Sequence, residues 1–190
     1  RNTDIICPMY PSWENMQRDA KRDIGRPYIL CEYAHAMGNS MGNFQEYWDL
    51  MRTSKNMQGG FIWEWYNHGY PMKDEKGYNK MNHGNFCMDG IISPDQEYLP
   101  HTHIVKKVYQ DILFEEKNLE QGIITVINDF KFTDLTNQNY TDQWKMLRNG
   151  VVFAEHPFNV SLEADSKKDI TLDITQLKLD PGVEYYLKVF

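Results

Sequence analysis

Residues 28–40 read Tyr-Ile-Leu-Cys-Glu-Tyr-Ala-His-Ala-Met-Gly-Asn-Ser, and this stretch decides how the chain folds. The run from Tyr28 to Cys31 is apolar throughout, which predicts a parallel strand covered on both faces. Glu32 follows directly, so the pattern predicts a carboxylate at the carboxyl end of the strand, where α/β proteins bind their ligands. Acidic residues at strand ends also cap helices or pair with arginine, so Glu32 alone is weak evidence for catalysis.

Short apolar runs and helix-period segments alternate on both sides of this strand. Residues 4–7 and 59–65 are predicted strands. One helix is predicted behind Ser12 as its N-cap, and a second behind Ser40, with apolar residues at helical spacing from Phe44 onward. Alternation of this kind is typical of βαβ units and a parallel sheet.

Beyond residue 108 the pattern changes to short strands separated by turn signals. A short helix is predicted at residues 101–108, and Asn149-Gly150 and Pro181-Gly182 are strong turn signals. The predicted strands are residues 112–117, 123–130, 143–147, 151–155, 170–174 and 185–189. The fold class is therefore α/β followed by all-β, the second part being an antiparallel sandwich.

Composition excludes several classes of protein. The chain is 41% hydrophobic and carries a formal net charge of -7, without a basic run that could follow a phosphate backbone, so no nucleic-acid partner is expected. Its three cysteines follow apolar or aromatic residues, as free thiols do. No apolar run approaches the roughly 20 residues of a membrane span. The first residues read like the inside of a domain, so we expect the natural N-terminus upstream, and the cellular location stays open.

Four segments in chain order resemble one known family. Residues 29–40 resemble the nucleophile signature of bacterial β-galactosidases of glycoside hydrolase family 2. Residues 4–10, Asp-Ile-Ile-Cys-Pro-Met-Tyr, are similar to the preceding barrel strand with its active-site tyrosine, and residues 58–65 to the last barrel strand. Residues 85–90 are similar to the loop near the family's cation, and residues 105–110 match its domain junction more loosely.

This resemblance implies the C-terminal part of an incomplete TIM (β/α)8 barrel over residues 1–108 and a partial, truncated immunoglobulin-like β-sandwich over residues 109–190. It also implies a parent enzyme, a homo-oligomer, that hydrolyses terminal β-D-galactosides through a covalent intermediate on Glu32. In the family the acid/base glutamate follows an asparagine and helps to bind magnesium. The chain contains no Asn-Glu dipeptide. The acid/base and the Mg²⁺ ligands are therefore expected upstream, and the chain alone is expected to be inactive.

The resemblance assigns a role to each matched residue. Glu32 is the nucleophile, and Tyr10 donates a hydrogen bond to its carboxylate. The alternative for Tyr10 is a rim aromatic that packs on the loop. His35 binds sugar hydroxyls, and Trp63 offers a flat face on which a sugar can stack. Asp89 contributes to substrate binding.

A monovalent cation such as Na⁺ is also implied by the resemblance. The carbonyl of Phe86 and the side chain of Asp89 are its expected ligands, and the aspartate adds a negative charge that leaves the affinity open. Glu64 is expected to point away from Trp63, because neighbouring residues of a strand alternate in direction. Glu64 therefore reads as structural.

Other functions stay open at this point. A non-catalytic carbohydrate-binding or structural module would use the sandwich and keep the barrel segment as scaffold. A sister family 2 enzyme acting on glucuronides or mannosides differs from a galactosidase by a single hydroxyl orientation. A zinc site is a further alternative, with His68, His83, His101 and His103 as its ligands. The spacings of these histidines match no common zinc-ligand pattern.

Overall fold

The computed structural model describes residues 3–71, 78–79, 84–135, 140 and 142–190. The chain divides into two compact units, Arg1–Tyr109 and Gln110–Phe190, which we call the N-terminal and the C-terminal unit. Within the described residues, no helix has both the length and the apolar character needed to cross a membrane.

The N-terminal unit contains a parallel strand pair with a helix between the two strands, as predicted. Strand β1 pairs with β2 in parallel, Tyr28 lying opposite Met57 and Leu30 opposite Gly60. Helix α2 connects the two strands and packs on β2. The elements of this unit are α1 (Trp13–Ala20), β1 (Tyr28–Tyr33), α2 (Phe44–Thr53), β2 (Met57–Ile62), β3 (Tyr70–Pro71), β4 (Tyr78–Asn79) and α3 (Pro100–Val108).

The strand predicted at residues 4–7 does not form. Only isolated parallel bridges join this segment to β1, between Ile6 and Tyr28 and between Met9 and Glu32. Pro8 lies between them and has no N–H to donate to a ladder, although its carbonyl accepts a hydrogen bond from the N–H of Cys31 at 3.0 Å. The segment therefore follows β1 in parallel without becoming a regular strand.

One predicted helix cap is confirmed and one is wrong. The hydroxyl of Ser12 accepts a hydrogen bond from the N–H of Asn15 at 3.3 Å and caps α1. Helix α2 begins three residues later than a Ser40 cap requires, with Asn43 as N-cap in the left-handed region at φ 59° and no side-chain capping bond. A turn at residues 42–43 separates Ser40 from the helix, and asparagine tolerates left-handed backbone better than most residues.

The core of the N-terminal unit lies between the strand pair and its helices. Tyr28, Leu30 and Tyr33 are buried, whereas Ile29 and Cys31 on the other face of β1 are only half-buried. A Cβ on Gly60 would lie 2.8 Å from the Cβ of Leu30, so this glycine permits the close pairing of β2 with β1. The buried core consists of Met16, Tyr28, Leu30, Tyr33, Ala36, Met41, Phe44, Met51, Met57, Ile91, Ile92, Val105 and Val108.

The C-terminal unit contains two three-stranded antiparallel sheets. One sheet has the order β5 (Ile112–Asn118), β6 (Ile123–Asn128) and β9 (Ser166–Thr171); the other has β10 (Tyr185–Val189), β7 (Asp142–Arg148) and β8 (Val151–Phe158). All six predicted strand positions contain a strand. The strand predicted at residues 170–174 ends at Thr171, because a turn begins at residue 173; Leu172 nevertheless stays buried and its N–H donates to the carbonyl of Gly122 at 2.8 Å.

Side chains from both sheets meet in one apolar core. Val126 from one sheet and Trp144 from the other are almost fully buried, and inward and outward positions alternate along β6. The Asn149-Gly150 turn joins β7 to β8 with φ angles of 47° and 82°. Both angles are positive, as a two-residue hairpin turn requires, and asparagine followed by glycine is the sequence that adopts them most readily.

Candidate functional site

The site is built around Glu32, near the carboxyl end of β1. Its side chain is half-buried, and its carbonyl accepts a hydrogen bond from the N–H of Tyr10 at 3.0 Å. The neighbouring segment thus ends beside the end of β1. Two polar side chains, Glu32 and Tyr10, are brought together at this edge although they are far apart in the sequence.

Tyr10 contacts both Glu32 and His35. Its ring centroid lies 5.9 Å from that of His35, with the ring planes tilted by 58°. Partial burial, followed by a hydrogen bond to Glu32 and the negative charges of Glu32 and Asp89, raises the pKa of Tyr10 above its ordinary value. The phenol therefore keeps its proton at neutral pH, and it can donate that proton in a hydrogen bond to the Glu32 carboxylate.

Asp89 joins two other predicted site residues. Its Oδ2 accepts a hydrogen bond from the indole Nε1 of Trp63 at 3.1 Å and lies 3.5 Å from Nε2 of His35. Asp89 is 3% exposed. Because one buried oxygen contacts both rings, the position of Asp89 restricts the orientation of the indole and of the imidazole together.

The backbone around Asp89 is fixed by a close approach of two segments. Its carbonyl accepts from the N–H of Glu64 at 2.9 Å, and the N–H of Gly90 donates to Oδ1 of Asn67 at 2.8 Å. A Cβ on Gly90 would lie 2.2 Å from the backbone nitrogen of Asn67 and from the carbonyl carbon of Tyr66. Only glycine permits this packing. Sequence reasoning missed Gly90 and Asn67, because their partners lie more than twenty residues away along the chain.

Glu64, which was expected to point away from Trp63, reaches the site residues through Asp89. Strand β2 ends at Ile62, so strand alternation no longer governs the direction of residues 63 and 64. The Glu64 carboxyl interacts with that of Asp89, and its Oε2 lies 3.1 Å from Nε2 of His68. Burial first, and then the contact with Asp89, raises the pKa of Glu64 to about 7.

Both carboxyl groups have an oxygen without a partner. Oδ1 of Asp89 and Oε1 of Glu64 are buried and receive no hydrogen bond from any described residue. Unpaired buried oxygens of this kind are rare and need an explanation. The donor set offered here consists of hard oxygen atoms, which suits an alkali or alkaline-earth ion better than a soft metal.

The other candidate cation and metal ligands are Phe86 and the histidines. Phe86 lies in the turn at residues 84–87, and its side chain is exposed. Among the described residues, no group of three or more His, Cys, Asp and Glu side chains is arranged to hold a metal ion. His83, one of the histidines weighed as a zinc ligand, lies outside the described residues.

A cavity of about 260 Å³ opens beside Tyr10 and His35. Its walls include the apolar side chains of Met41 and Phe44 and the ring of Tyr47. Tyr47 also donates a hydrogen bond from its hydroxyl to the carbonyl of Pro11 at 3.2 Å. The cavity therefore offers a phenol and an imidazole on apolar surface, whereas Glu32, Trp63 and Asp89 are not among the described residues that line it.

Comparison with known proteins places both units in one family. Residues 2–114 match the model of the glycosyl hydrolases family 2 TIM barrel domain, and residues 124–190 match the model of β-galactosidase domain 4. The chain is 36% identical over 211 residues to a β-galactosidase of Photobacterium profundum, an alignment covering 97% of the chain and 20% of that protein. It is 32% identical over 218 residues to a β-galactosidase of Pseudoalteromonas haloplanktis, covering 98% and 20%.

A solved structure of a glycosyl hydrolase family 2 member from Bacteroides cellulosilyticus DSM 14838 aligns with a TM-score of 0.40 and 12% identity, over 95% of this chain and 25% of that one. This likeness is too low to support an argument. The chain spans about one fifth of the length of the curated relatives that it matches.

Proposed function

The chain belongs to glycosyl hydrolase family 2, and we propose that the whole protein of which it forms part hydrolyses terminal, non-reducing β-D-galactosides with retention of configuration. The observation that carries the proposal is a chain of contacts at the end of β1: Tyr10 meets Glu32 and His35, and Asp89 meets His35 and Trp63. The relatives named β-galactosidase support the choice of substrate.

In the proposed reaction Glu32 is the nucleophile. A carboxylate oxygen of Glu32 attacks the anomeric carbon, the glycosidic C–O bond breaks, and the leaving oxygen takes a proton from a second carboxyl group. Water then attacks the same carbon, gives its proton to that second group, and releases Glu32 as a carboxylate. The second carboxyl, expected about 5 Å from Glu32 in a retaining enzyme, is proposed to come from the remainder of the polypeptide.

Tyr10 and Trp63 are proposed to position the reacting groups. The phenol of Tyr10 donates to the Glu32 carboxylate and holds it at one rotamer before attack. The indole N–H of Trp63 donates to Asp89, which keeps the ring face turned toward a bound sugar. His35, close to both Tyr10 and Asp89, is left to exchange hydrogen bonds with sugar hydroxyls.

Two ions complete the proposal. By the resemblance, the carbonyl of Phe86 and the side chain of Asp89 would hold a monovalent cation, which would place positive charge beside the sugar hydroxyls. A magnesium ion is proposed for the whole protein, with ligands from outside this chain.

The remainder of the polypeptide is the proposed partner of both units. It would complete a TIM barrel with the N-terminal unit and an immunoglobulin-like sandwich with the C-terminal unit. The whole protein is proposed to be a homo-oligomer.

The test uses the full-length protein and aryl glycosides. Rapid hydrolysis of the β-galactoside is expected, with much slower hydrolysis of the matching glucuronide and mannoside. Incubation with a 2-deoxy-2-fluoro-galactoside that bears a good leaving group should trap the ester, and peptide mass spectrometry should find the sugar on Glu32. A label on another residue would refute the assignment of the nucleophile, and preferred hydrolysis of the glucuronide would identify a sister enzyme instead.

The isolated chain is proposed to be inactive. General acid–base help is worth about 10²- to 10⁴-fold, and loss of the groups that fix the sugar costs about a further hundredfold per ångström of misplacement. The purified 190-residue chain should show less than a thousandth of the parental turnover, and it should self-associate when its mass is measured in solution. A stable monomer with parental turnover would contradict this proposal.

A further inference from the structure

Three segments that are distant in the sequence meet at Asp89. His35 follows β1, Trp63 follows β2, and Asp89 lies in a later loop, from which its Oδ2 contacts both rings. The backbone of Trp63 is attached to the end of β1, because its N–H donates to the carbonyl of Tyr33 at 3.0 Å and its carbonyl accepts from the N–H of Ala36 at 2.9 Å. His35 and Trp63 therefore share one framework, and Asp89 has to be brought to it by a separate segment.

The loop that carries Asp89 is held by parallel pairing with the segment that follows β2. The N–H of Ile91 donates to the carbonyl of Glu64 at 2.9 Å. The N–H of Gly90, one residue earlier, donates instead to a side chain, to Oδ1 of Asn67 at 2.8 Å. The position of the loop thus depends on backbone bonds and on the side chain of Asn67.

This side chain completes the support of one peptide unit. The peptide between Asp89 and Gly90 is planar, its C=O accepts from the N–H of Glu64 at 2.9 Å, and its N–H donates to Asn67. Bonds at both ends of a planar unit fix its orientation, and with it the direction in which the Asp89 side chain projects. Without the Asn67 oxygen the unit can rotate about its remaining bond, and the carboxylate then moves away from the two rings.

Asn67 is itself buried and fixed. It is 8% exposed, and its N–H donates to the carbonyl of Ile92 at 2.9 Å. A Cβ on Gly90 would lie 2.2 Å from the backbone nitrogen of Asn67, so the two segments touch without an intervening side chain. A buried hydrogen bond in such a contact has no water to replace it if the acceptor is removed. The bond from Gly90 to Asn67 is therefore expected to persist in the folded protein.

We propose that Asn67 is a positioning residue: its side-chain oxygen fixes the Asp89–Gly90 peptide and, through the Asp89 carboxylate, the orientation of Trp63 and His35. The inference rests on the proposed function, in which these two rings contact the sugar. Asn67 itself contacts neither the sugar nor the reacting atoms in this assignment. Its removal should therefore weaken catalysis only through Asp89.

The test is a double-mutant cycle in the full-length protein, with kcat/KM on an aryl β-galactoside as the readout. Asn67→Ala should lower kcat/KM about 10- to 100-fold, since a misplacement of about 1 Å costs roughly a hundredfold. In the Asp89→Ala background the same substitution should cost less than about twofold, because no carboxylate is left to position. A residue with only a structural role would cost the same factor in both backgrounds.

Asn56→Ala is the matched control. Asn56 is another asparagine of the N-terminal unit whose side chain bonds to backbone, donating to the carbonyl of Arg22, but it directly precedes β2, whereas Trp63 follows that strand. Its kcat/KM should stay within about twofold even if the midpoint of thermal unfolding falls. Asn67→Leu fills nearly the same space without an acceptor, and it replaces Asn67→Ala in every arm if the alanine variant does not fold.

Crystal structures of the full-length protein and its variants supply a readout that does not depend on activity. The contact between Oδ2 of Asp89 and Nε1 of Trp63, 3.1 Å long here, should be broken in Asn67→Ala and kept in Asn56→Ala. An unchanged contact, an equal loss of kcat/KM in both backgrounds, or a loss of the same size in the control would each overturn the inference. If the natural protein hydrolyses no galactoside, the proposed function fails, and a broken contact still shows that Asn67 positions Asp89.

Discussion

The two units differ in whether their buried polar side chains have all their hydrogen-bond partners. In the C-terminal unit, Asn128 is 0% exposed, yet its Nδ2 donates to the carbonyls of Thr133 at 2.8 Å and Glu163 at 2.9 Å, and its Oδ1 accepts from the N–H of Phe130 at 3.2 Å. In the N-terminal unit, Asp89 and Glu64 each bury an oxygen that no described residue satisfies.

This difference separates a structural polar group from a functional one. A buried amide with all its hydrogen bonds made specifies a single packing and costs little, because its partners replace the water that it lost. A buried carboxylate left unpaired lowers stability, and folded proteins retain such groups chiefly where a ligand or a reaction needs them. Asn128 should therefore be important for folding, and the cluster around Asp89 for chemistry.

The largest effect is expected at Glu32, the proposed nucleophile of the N-terminal unit. Glu32→Gln in the full-length protein keeps the shape of the side chain but cannot form the glycosyl ester, so kcat should fall more than about 10³-fold while sugar binding survives. Steady-state rates on an aryl β-galactoside and calorimetric binding of a galactoside measure the two quantities. Glu116→Gln, at an exposed position of β5, should leave both unchanged. Turnover within tenfold of the natural enzyme would exclude Glu32 as the nucleophile.

Gly90→Ala should sharpen the comparison, because it moves Asp89 without altering any charge. The added methyl would lie 2.2 Å from backbone atoms of Tyr66 and Asn67, so one segment must shift and carry Asp89 away from Trp63 and His35. A displacement of about 1 Å is expected to lower kcat/KM about 100-fold.

Gly42→Ala is the control for this prediction, because a Cβ there meets nothing within 4 Å. Its kcat/KM should stay within about twofold. Equal losses in the two variants would show that the close approach at Gly90 does not set the geometry of the site.

Asn128→Ala tests whether the hydrogen-bonded buried amide of the C-terminal unit is needed for folding. It removes the bonds of the Asn128 amide to the carbonyls of Thr133, Leu162 and Glu163 and to the N–H of Phe130. The carbonyls of Leu162 and Glu163 keep bonds from the Leu135 N–H and the Ser166 hydroxyl, so the free energy of unfolding of that unit should fall by about 1–3 kcal/mol. Hydrogen-exchange mass spectrometry of peptides from this unit measures the change within the full-length protein. The exposed Asn159→Ala should cost less than about 0.5 kcal/mol. A loss of kcat that exceeds the loss of folded protein would break the distinction between the two units.

The smallest effect is expected at an exposed ion pair. Asp169 accepts hydrogen bonds from Lys117 and from the hydroxyl of Thr125, and these lower its pKa below the ordinary value of 3.8. The stabilisation is therefore complete above pH 3.8 and is lost as the pH falls through the lowered pKa. Asp169→Asn should lower the midpoint of thermal unfolding at about pH 7 by less than Asn128→Ala does. The difference from the natural protein should disappear in acid, and a difference that grows in acid would contradict this reading.

Local signals in the sequence predict much of the fold. The Ser12 cap of α1, the βαβ arrangement of β1, α2 and β2, and the Asn149-Gly150 turn all depend on residues within one turn or one strand of each other. The Ser40 cap and the strand at residues 4–7 failed for an equally local reason. A turn at residues 42–43 delays α2, and Pro8 interrupts the ladder.

The sequence by itself determined which residues are available for the site and in what order, since Tyr10, Glu32, His35, Trp63 and Asp89 all lie in segments that could be matched to a family. Only the tertiary structure decided that Glu64 turns toward Asp89 and that Gly90 must lack a side chain. It also decided that one oxygen of Asp89 and one of Glu64 are buried without a hydrogen-bond donor among the described residues. The physical reason is distance along the chain. Periodicity and capping report on neighbours a few residues apart, whereas burial and charge pairing are set by segments that meet only when the chain has folded.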